Sequence, residues 1–478
     1  MNQLSPGSSP PSESQSALYR AVWRWHFYAG LFVAPLAILL SVTGAIYLWK
    51  PQYEAWRYRA LLTAPVGTVT QSAAAQFAAA TATHPDATAI TFTPAFTPGS
   101  TSETVLRLRD GEKTSVYVDP ATARVTGELA DSDRFMRIVH NLHGTLLAGS
   151  AGEYVVELAA SWAIILFLTG LYLWWPRPHF TAWGFLLPRL RAKGRVFWRD
   201  LHAVPAVWLA AATLFLLTTG LLWTKAAGTW YRTISAAVGQ GTPRESNAGA
   251  HRSELTGWSP PLQAGLAQKI DALVSAPPAD DPHAEHRRAS AESKFENRNS
   301  KIPSLSLDRV IAIAAEHHVT QPYAIALPVG PTGVYSALTD RNLAFSRVYL
   351  HLDRYSGRVL AEVRYGDFGW LAKFSLWAII AHEGQLFGLL NQLLGTLAAL
   401  GVLLLAVTGL TMWWQRRPAS QLAAPASDAT LPRAVFVGTL LLAAFLPLLA
   451  ASLVLAWLAD HFLRQRWPAL SRDNPTTD

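Results

Sequence analysis

The chain is 478 residues long, 50% hydrophobic and 15% charged, and its 40 lysines and arginines outnumber 32 acids for a net charge of +8. Long apolar runs alternating with polar stretches exclude an ordinary water-soluble globule and point to a membrane protein with sizeable water-exposed parts. The lack of cysteine excludes disulfides, thiolate-bound iron–sulfur clusters, cysteine-ligated zinc and covalent haem attachment through C-x-x-C-H.

Residues 1–18 are Ser/Pro-rich and read as a disordered cytoplasmic tail. Residues 19–50 form the first span, whose apolar run from Phe27 to Trp49 is long enough for a bilayer and too long, with no cleavage site after it, for a signal peptide. Residues 51–140 make a first external module, with a helix at Gln71 to Thr83 and strands at Ala89 to Thr93, Thr104 to Arg109, Ser115 to Val118 and Arg124 to Glu128. The second span covers 141–176. The link at 177–201 holds Arg177, Arg189, Arg191, Lys193, Arg195 and Arg199 against the single acid Asp200, which places it in the cytoplasm. The third span is 202–224. Residues 225–380 form a second external module, with a mobile polar loop at 276–301, a helix at Leu307 to His318 and strands at Tyr323 to Leu327, Gly333 to Leu338, Arg347 to Leu352 and Arg358 to Arg364. The fourth span is 381–415 and the basic link 416–433 is again cytoplasmic. The fifth span, 434–459, carries a kink at Pro447. In the tail at 460–478, Arg464, Arg466 and Arg472 leave its side of the membrane open. The net positive charge is this topogenic asymmetry, so no nucleic-acid partner is expected.

The order conceals a duplication. LHGTLLAGSAGEYVVELAASWAIILFLTGLYLWW, Leu142 to Trp175, recurs without a gap as AHEGQLFGLLNQLLGTLAALGVLLLAVTGLTMWW, Ala381 to Trp414. His143 then matches His382, Gly149 matches Gly388, and Thr169-Gly170 matches Thr408-Gly409. Likewise His26 and His202 each lie 17 residues before a Thr-Gly, at Thr43-Gly44 and Thr219-Gly220. The phrase beginning Val116-Tyr117 matches one beginning Val348-Tyr349, so the external modules repeat as well. The expected fold is an α-helical multi-pass membrane protein of about five spans, a duplicated two-helix unit plus one extra helix, with two external α+β modules.

Four histidine-headed spans in two copies, the endings of type TG-x-x-x-WW, and the VYVDP-x-T phrase before the His-Gly segment together resemble the PepSY-associated transmembrane proteins, over roughly Tyr19 to Arg417. The resemblance implies a bacterial inner-membrane protein with a cytoplasmic N-terminus and periplasmic PepSY-like modules. It also implies a link to iron uptake, in some relatives as a haem-containing reductase of ferric siderophores.

The histidines agree with that chemistry. Ionisable groups in spanning helices are expensive and need an account. His26 and His202 share one depth, His143 and His382 another, and facing imidazoles at one level are what a bis-histidine haem b requires. Two such haems are expected, with the four histidines as axial ligands. Gly149 and Gly388 lie about 9 Å past their histidines, and Gly44 and Gly220 about 27 Å along their helices from His26 and His202. These glycines, with Gly170 and Gly409, are expected to clear room for the macrocycles. Arg24, Arg199, Arg137 and Lys373 stand near the ligands as propionate partners. His140 is an alternative to His143, although its copy position is Ile379. His283, His286, His317 and His318 are expected in solvent. No Gly-rich dinucleotide motif follows a strand, so electrons come from a separate cytoplasmic reductase or a membrane quinol. The sequence therefore favours di-haem electron transfer to a periplasmic ferric siderophore or other ferric chelate. The alternatives are a non-redox membrane anchor whose modules bind a periplasmic peptide, peptidase or uptake partner, or a redox partner for copper or quinone.

Overall fold

The computed structural model describes residues 13–175, 182–254, 304–340, 342–416, 438 and 441–466. Most of the N-terminal tail, Arg177, the loop at 276–301 with His283 and His286, the link at 417–433, residues 434–437 and 439–440 of the fifth span, and the chain after 466 lie outside the described residues. Two compact units emerge: Met1–Lys50 with Ile138–Ile234 and Trp377–Asp478, and Pro51–Arg137 with Ser235–Leu376. In chain order the elements are α1 (Glu13–Tyr47), α2 (Lys50–Arg57), α3 (Arg59–Leu62), α4 (Ala73–Ala82), β1 (Thr88–Thr93), β2 (Ser102–Arg107), β3 (Lys113–Asp119), β4 (Arg124–Ala130), α5 (Phe135–Thr145), α6 (Gly149–Trp174), α7 (Gly194–Leu221), α8 (Ala226–Ala237), α9 (Leu307–Glu316), β5 (Tyr323–Ala326), β6 (Val334–Thr339), β7 (Val348–Asp353), β8 (Val359–Arg364), α10 (Trp370–His382), α11 (Leu389–Arg416) and α12 (Pro447–Arg466).

In the first unit α1 (from Leu18), α6, α7 and α11 are long and apolar enough to cross a membrane. They close a ring: α1 and α7 each pack against both α6 and α11, so α1 and α7 are diagonal partners. Two expectations change here. His143 does not head the second span but sits in the last turn of α5, and His382 closes α10. Between α5 and α6 the chain reverses through Leu146 and Leu147 at φ of 51° and 57°, and Gly149 at 55° opens α6; Gly388 at 57° does the same before α11. These glycines are needed for left-handed backbone, and a Cβ on either meets nothing within 4 Å. They make the turns into α6 and α11. Second, the fifth span is not one continuous helix: Leu441–Phe445 is helical, Leu446 is not, and Pro447 opens α12, so the helix breaks at the proline where the kink was expected. The apolar part of α12, Pro447–Ala456, is too short to cross alone. It packs on α6, and Leu446 and Leu449 cluster with Ile164 and Leu221.

The second unit joins both inserts in one eight-stranded antiparallel sheet, ordered β4-β3-β2-β1-β5-β6-β7-β8. The two modules are thus halves of one sheet. Their seam is short, with Thr91 opposite Ala326 and Phe92 opposite Ile325. Each half is a helix followed by a four-strand meander with a bulge between its third and fourth strands. The bulges equate Tyr117 with His351, so Val116-Tyr117 matches Leu350-His351, two residues later than the repeated Val-Tyr letters suggest. One core crosses the seam, holding Ala73 and Phe92 together with Val310, Ile325, Ala337 and Leu350. The Asp308 carboxylate of α9 accepts from the Ala73 and Ala74 N–H groups at 2.7 and 3.1 Å, satisfying donors that open α4.

Two outcomes are expected. Leu350→Ala should cost about 2–5 kcal/mol and, through the shared core, lower amide protection in β1–β3 as well as β6–β8 by hydrogen exchange of the full chain; loss confined to β5–β8 would contradict one core. Asp353 ends β7, its Oδ1 accepting from the Tyr355 and Ser356 N–H groups at 2.9 and 2.8 Å. Burial alone would raise its carboxyl, but hydrogen bonds from Ser356, Glu254 and Tyr355 outweigh it and hold it below the ordinary range. Its folded pKa is therefore lower than its unfolded one, so its stabilisation is complete above about pH 4 and is lost as pH falls through the folded value. Asp353→Asn should flatten that acid limb in melts between pH 6 and 3.

Candidate functional site

Each of the four spanning helices carries the same five-residue pattern, Leu-x-x-Thr-Gly, at Leu40 to Gly44, Leu166 to Gly170, Leu216 to Gly220 and Leu405 to Gly409. Each pattern receives one histidine from another segment. His26 Nδ1 lies 3.0 Å from Thr169 Oγ1, His143 Nδ1 2.9 Å from Thr43 Oγ1, His202 Nδ1 3.0 Å from Thr408 Oγ1, and His382 Nδ1 3.1 Å from Thr219 Oγ1.

The direction of these bonds follows from the threonines. Each hydroxyl donates to the carbonyl four residues earlier, Leu39, Ile165, Phe215 or Leu404, at 2.7–2.8 Å. With its proton committed, the Thr oxygen can only accept, so Nδ1 donates and each neutral ring keeps its lone pair on Nε2. The Leu405 carbonyl, 3.1 Å from His202 Nδ1, is an acceptor too and agrees with this tautomer. None of the four Nε2 atoms has a hydrogen-bond partner among the described residues.

The glycines give the rings access. A Cβ on Gly170, Gly44 or Gly220 would stand 3.2, 3.2 or 3.1 Å from Cε1 of His26, His143 or His382, and on Gly409 3.5 Å from Cε1 of His202. Gly44 and Gly220 thus each leave room for an imidazole edge.

The rings of His26 and His202, from diagonal helices, have centroids 6.4 Å apart and planes at 84°. Two imidazole–metal bonds of about 2 Å each, with the ring radii added, require a similar separation. His143 lies within electrostatic reach of His382 and of His140. Thr43 is 17 residues beyond His26 in one helix, so the two levels stand about 26 Å apart along it. No group of three or more His, Cys, Asp or Glu suited to a bare ion occurs among the described residues; the imidazoles come in twos.

The other expected residues are placed differently. Arg199 Nε and Arg189 Nε donate to the buried Asp200 carboxylate at 3.0 and 2.7 Å, which accounts for Arg199 without a propionate. Arg137 pairs with Asp131 at 3.4 Å, and Lys373 Nζ donates to the Gly366 carbonyl. Arg24 is half-buried on α1 with no contact that gives it a role. His140 is exposed, its ring 5.4 Å from that of Tyr47. His317 is not free in solvent: its Nδ1 is 2.7 Å from Glu362 Oε2.

Two buried polar groups escaped the sequence reading. Glu157, fully buried in α6, accepts from the Ala226 and Ala227 N–H groups at 2.8 and 2.9 Å at the start of α8. His351 lies between Ser336 Oγ at 2.7 Å and the Ser246 carbonyl at 3.1 Å. Both are satisfied by the protein. The threonines, too, were visible only as part of a repeated Thr-Gly; the Leu three residues before each Thr was the missed signal.

A family model described as PepSY-associated TM region matches residues 23–416. Among curated proteins none matches the chain. The ring geometry makes its own prediction: Thr219→Val, which keeps the shape and removes the acceptor, should destabilise the protein by about 1–3 kcal/mol, while Thr219→Ser restores most of the loss. Thermal unfolding of the full chain in detergent measures both, and equal melting of the valine variant and wild type would show the bond to be idle.

Proposed function

The chain belongs to the PepSY-associated TM family and is a multi-pass membrane protein, and on that premise we propose that it carries electrons across the bacterial inner membrane to reduce a ferric chelate, of the siderophore kind, on the periplasmic side. The observation that supports this reading best is the set of four imidazoles whose Nδ1–H is tied to a threonine and whose Nε2 lone pair has no protein partner. That is how a ligating histidine is prepared, its outer nitrogen fixing the tautomer and ring orientation.

The residues present fit haem b. Donors come in pairs, as a macrocycle with two open axial positions needs, the measured pair has the required ring separation, and glycines leave each ring its place. His26 with His202 would hold one group and His143 with His382 the other. Bound haem would supply a one-electron ferric–ferrous couple at each level. Asp200 pairs with both Arg189 and Arg199 two residues before His202 and offsets only one of their charges; with Arg191, Lys193 and Arg195 exposed, the positive-inside bias makes this end cytoplasmic. The His143 and His382 level is then the outer one, and the strand-rich unit is periplasmic. One electron, drawn from a membrane quinol or a separate cytoplasmic reductase, converts one chelated ferric ion to ferrous, which hard oxygen ligands hold less tightly.

The dithionite-reduced minus air-oxidised spectrum of the purified protein tests this. Wild type should show b-type bands at about two haems per chain, His202→Ala and His143→Ala about one each. Colourless wild-type protein from haem-replete cells would sink the redox reading and move the function to the strand-rich unit as a binding module.

A further inference from the structure

The duplicated frame offers the outer histidine pair two equivalent approaches, one beside α1 and α5 and one beside α7 and α10. The side chains break that equivalence. Beside α1, the Lys50 ammonium lies 5.5 Å over the ring of Tyr47, and that ring lies 5.4 Å from exposed His140, itself within electrostatic reach of His143. The copy positions of Tyr47, Lys50 and His140 are Trp223, Ala226 and Ile379, and where Gly144 follows His143, Glu383 follows His382. One approach thus presents an ammonium, a phenol and an imidazole; the other presents an indole, two alkyl groups and a carboxylate.

Lys225, two residues past Trp223, stands on the other approach, where it is held by α6. Its Nζ donates to Ser150 Oγ at 2.7 Å and lies 5.5 Å over Tyr154, both on the first turns of α6. Lys50 has no carboxylate partner among the described residues.

We propose that the Tyr47, Lys50 and His140 corner is the landing site for an anionic metal chelate, one with carboxylate or comparable oxygen donors facing outward, and that the Glu383 side is not used. The inference rests on the redox reading for its purpose, but the site is defined by charge and hydrogen-bond donors. Ammonium, phenol and imidazole all donate to chelate oxygens, and an unpaired cation beside the outer pair draws an anion toward it.

The test is binding of gallium(III) citrate, a redox-inert anionic chelate, to the full chain in detergent by calorimetry, with haem content recorded on the same samples. Wild type should bind. Lys50→Glu should bind about ten-fold more weakly at low ionic strength, with the gap narrowing in high salt, Lys50→Arg should bind like wild type, and Glu383→Gln should change little. Lys50→Met, which removes the charge without reversing it and is expected to weaken binding by a smaller factor, serves if the first variant does not fold. No binding by wild type, or Lys50→Glu binding equal to wild type, would overturn the site while leaving a haem-loaded protein and its redox reading intact. Binding that follows this pattern in a haem-free protein would keep the anion site and end the redox reading.

Discussion

The bond between a threonine hydroxyl and an imidazole Nδ1, made four times, is the constraint on which the membrane unit depends. An imidazole placed among apolar helices loses water on both nitrogens, and each unsatisfied nitrogen carries a penalty. A threonine that has already given its proton to its own helix offers an acceptor at no further cost to that helix. Glycine follows it, and at Gly44, Gly170 and Gly220 the ring edge stands 3.1–3.2 Å from where a Cβ would be, tighter than ordinary contact, against 3.5 Å at Gly409. The helix order follows too. His143 and His382 reach Thr43 and Thr219 only because the chain breaks before α6 and α11, so that each histidine ends a separate short helix instead of being locked to the face of the span that follows it.

Duplication then works at two scales: each His–Thr bond stays within one copy, and only the pairing of the rings crosses between copies. Each histidine is caught by a helix other than its own, and the measured pair joins α1 to its diagonal copy α7. A single copy would supply half of each level, one ligand and one catching threonine. The strand-rich unit obeys the same logic independently: four strands and a helix in each half share one core across the β1–β5 seam, and neither half would bury Phe92 or Ile325 alone.

Much of this is legible from spacing, and the limit of spacing is informative. Regular offsets along a helix single out His26, His143, His202, His382 and the four Thr-Gly pairs, because position along an axis is what a linear sequence encodes. Which threonine catches which histidine is a contact between helices, and no offset carries it. Spacing therefore gave no sign of the imidazole edge that Gly44 and Gly220 each face. The turns at Gly149 and Gly388 hid for a related reason: an apolar run from Leu142 to Trp175 reads as one helix, and two leucines in left-handed backbone leave no mark in composition. The joined sheet was hidden because the β1–β5 seam is only two residue pairs long and its strands are more than 200 residues apart in sequence.

The polar groups inside the helices can be sorted by what satisfies them. Asp200 takes Arg189 and Arg199, and Glu157 takes the first N–H groups of α8, where a carboxylate is favoured by the helix dipole. The copy position of Glu157 is Thr396, whose hydroxyl accepts from Trp49 Nε1 at 3.1 Å. One position in each copy thus catches the chain that follows a neighbouring span, with a carboxylate after α7 and a hydroxyl after α1. These expensive groups are explained by anchoring and require no ligand. The four imidazoles differ in kind. Their Nδ1 atoms are anchored as firmly as Glu157, yet each carries a second nitrogen, a lone pair in an apolar bundle, for which the protein supplies no donor. A structural histidine would have both nitrogens satisfied, as His351 does between Ser336 and Ser246. Rings fixed at one nitrogen and open at the other, set in pairs at two levels, are built to receive something that binds a lone pair.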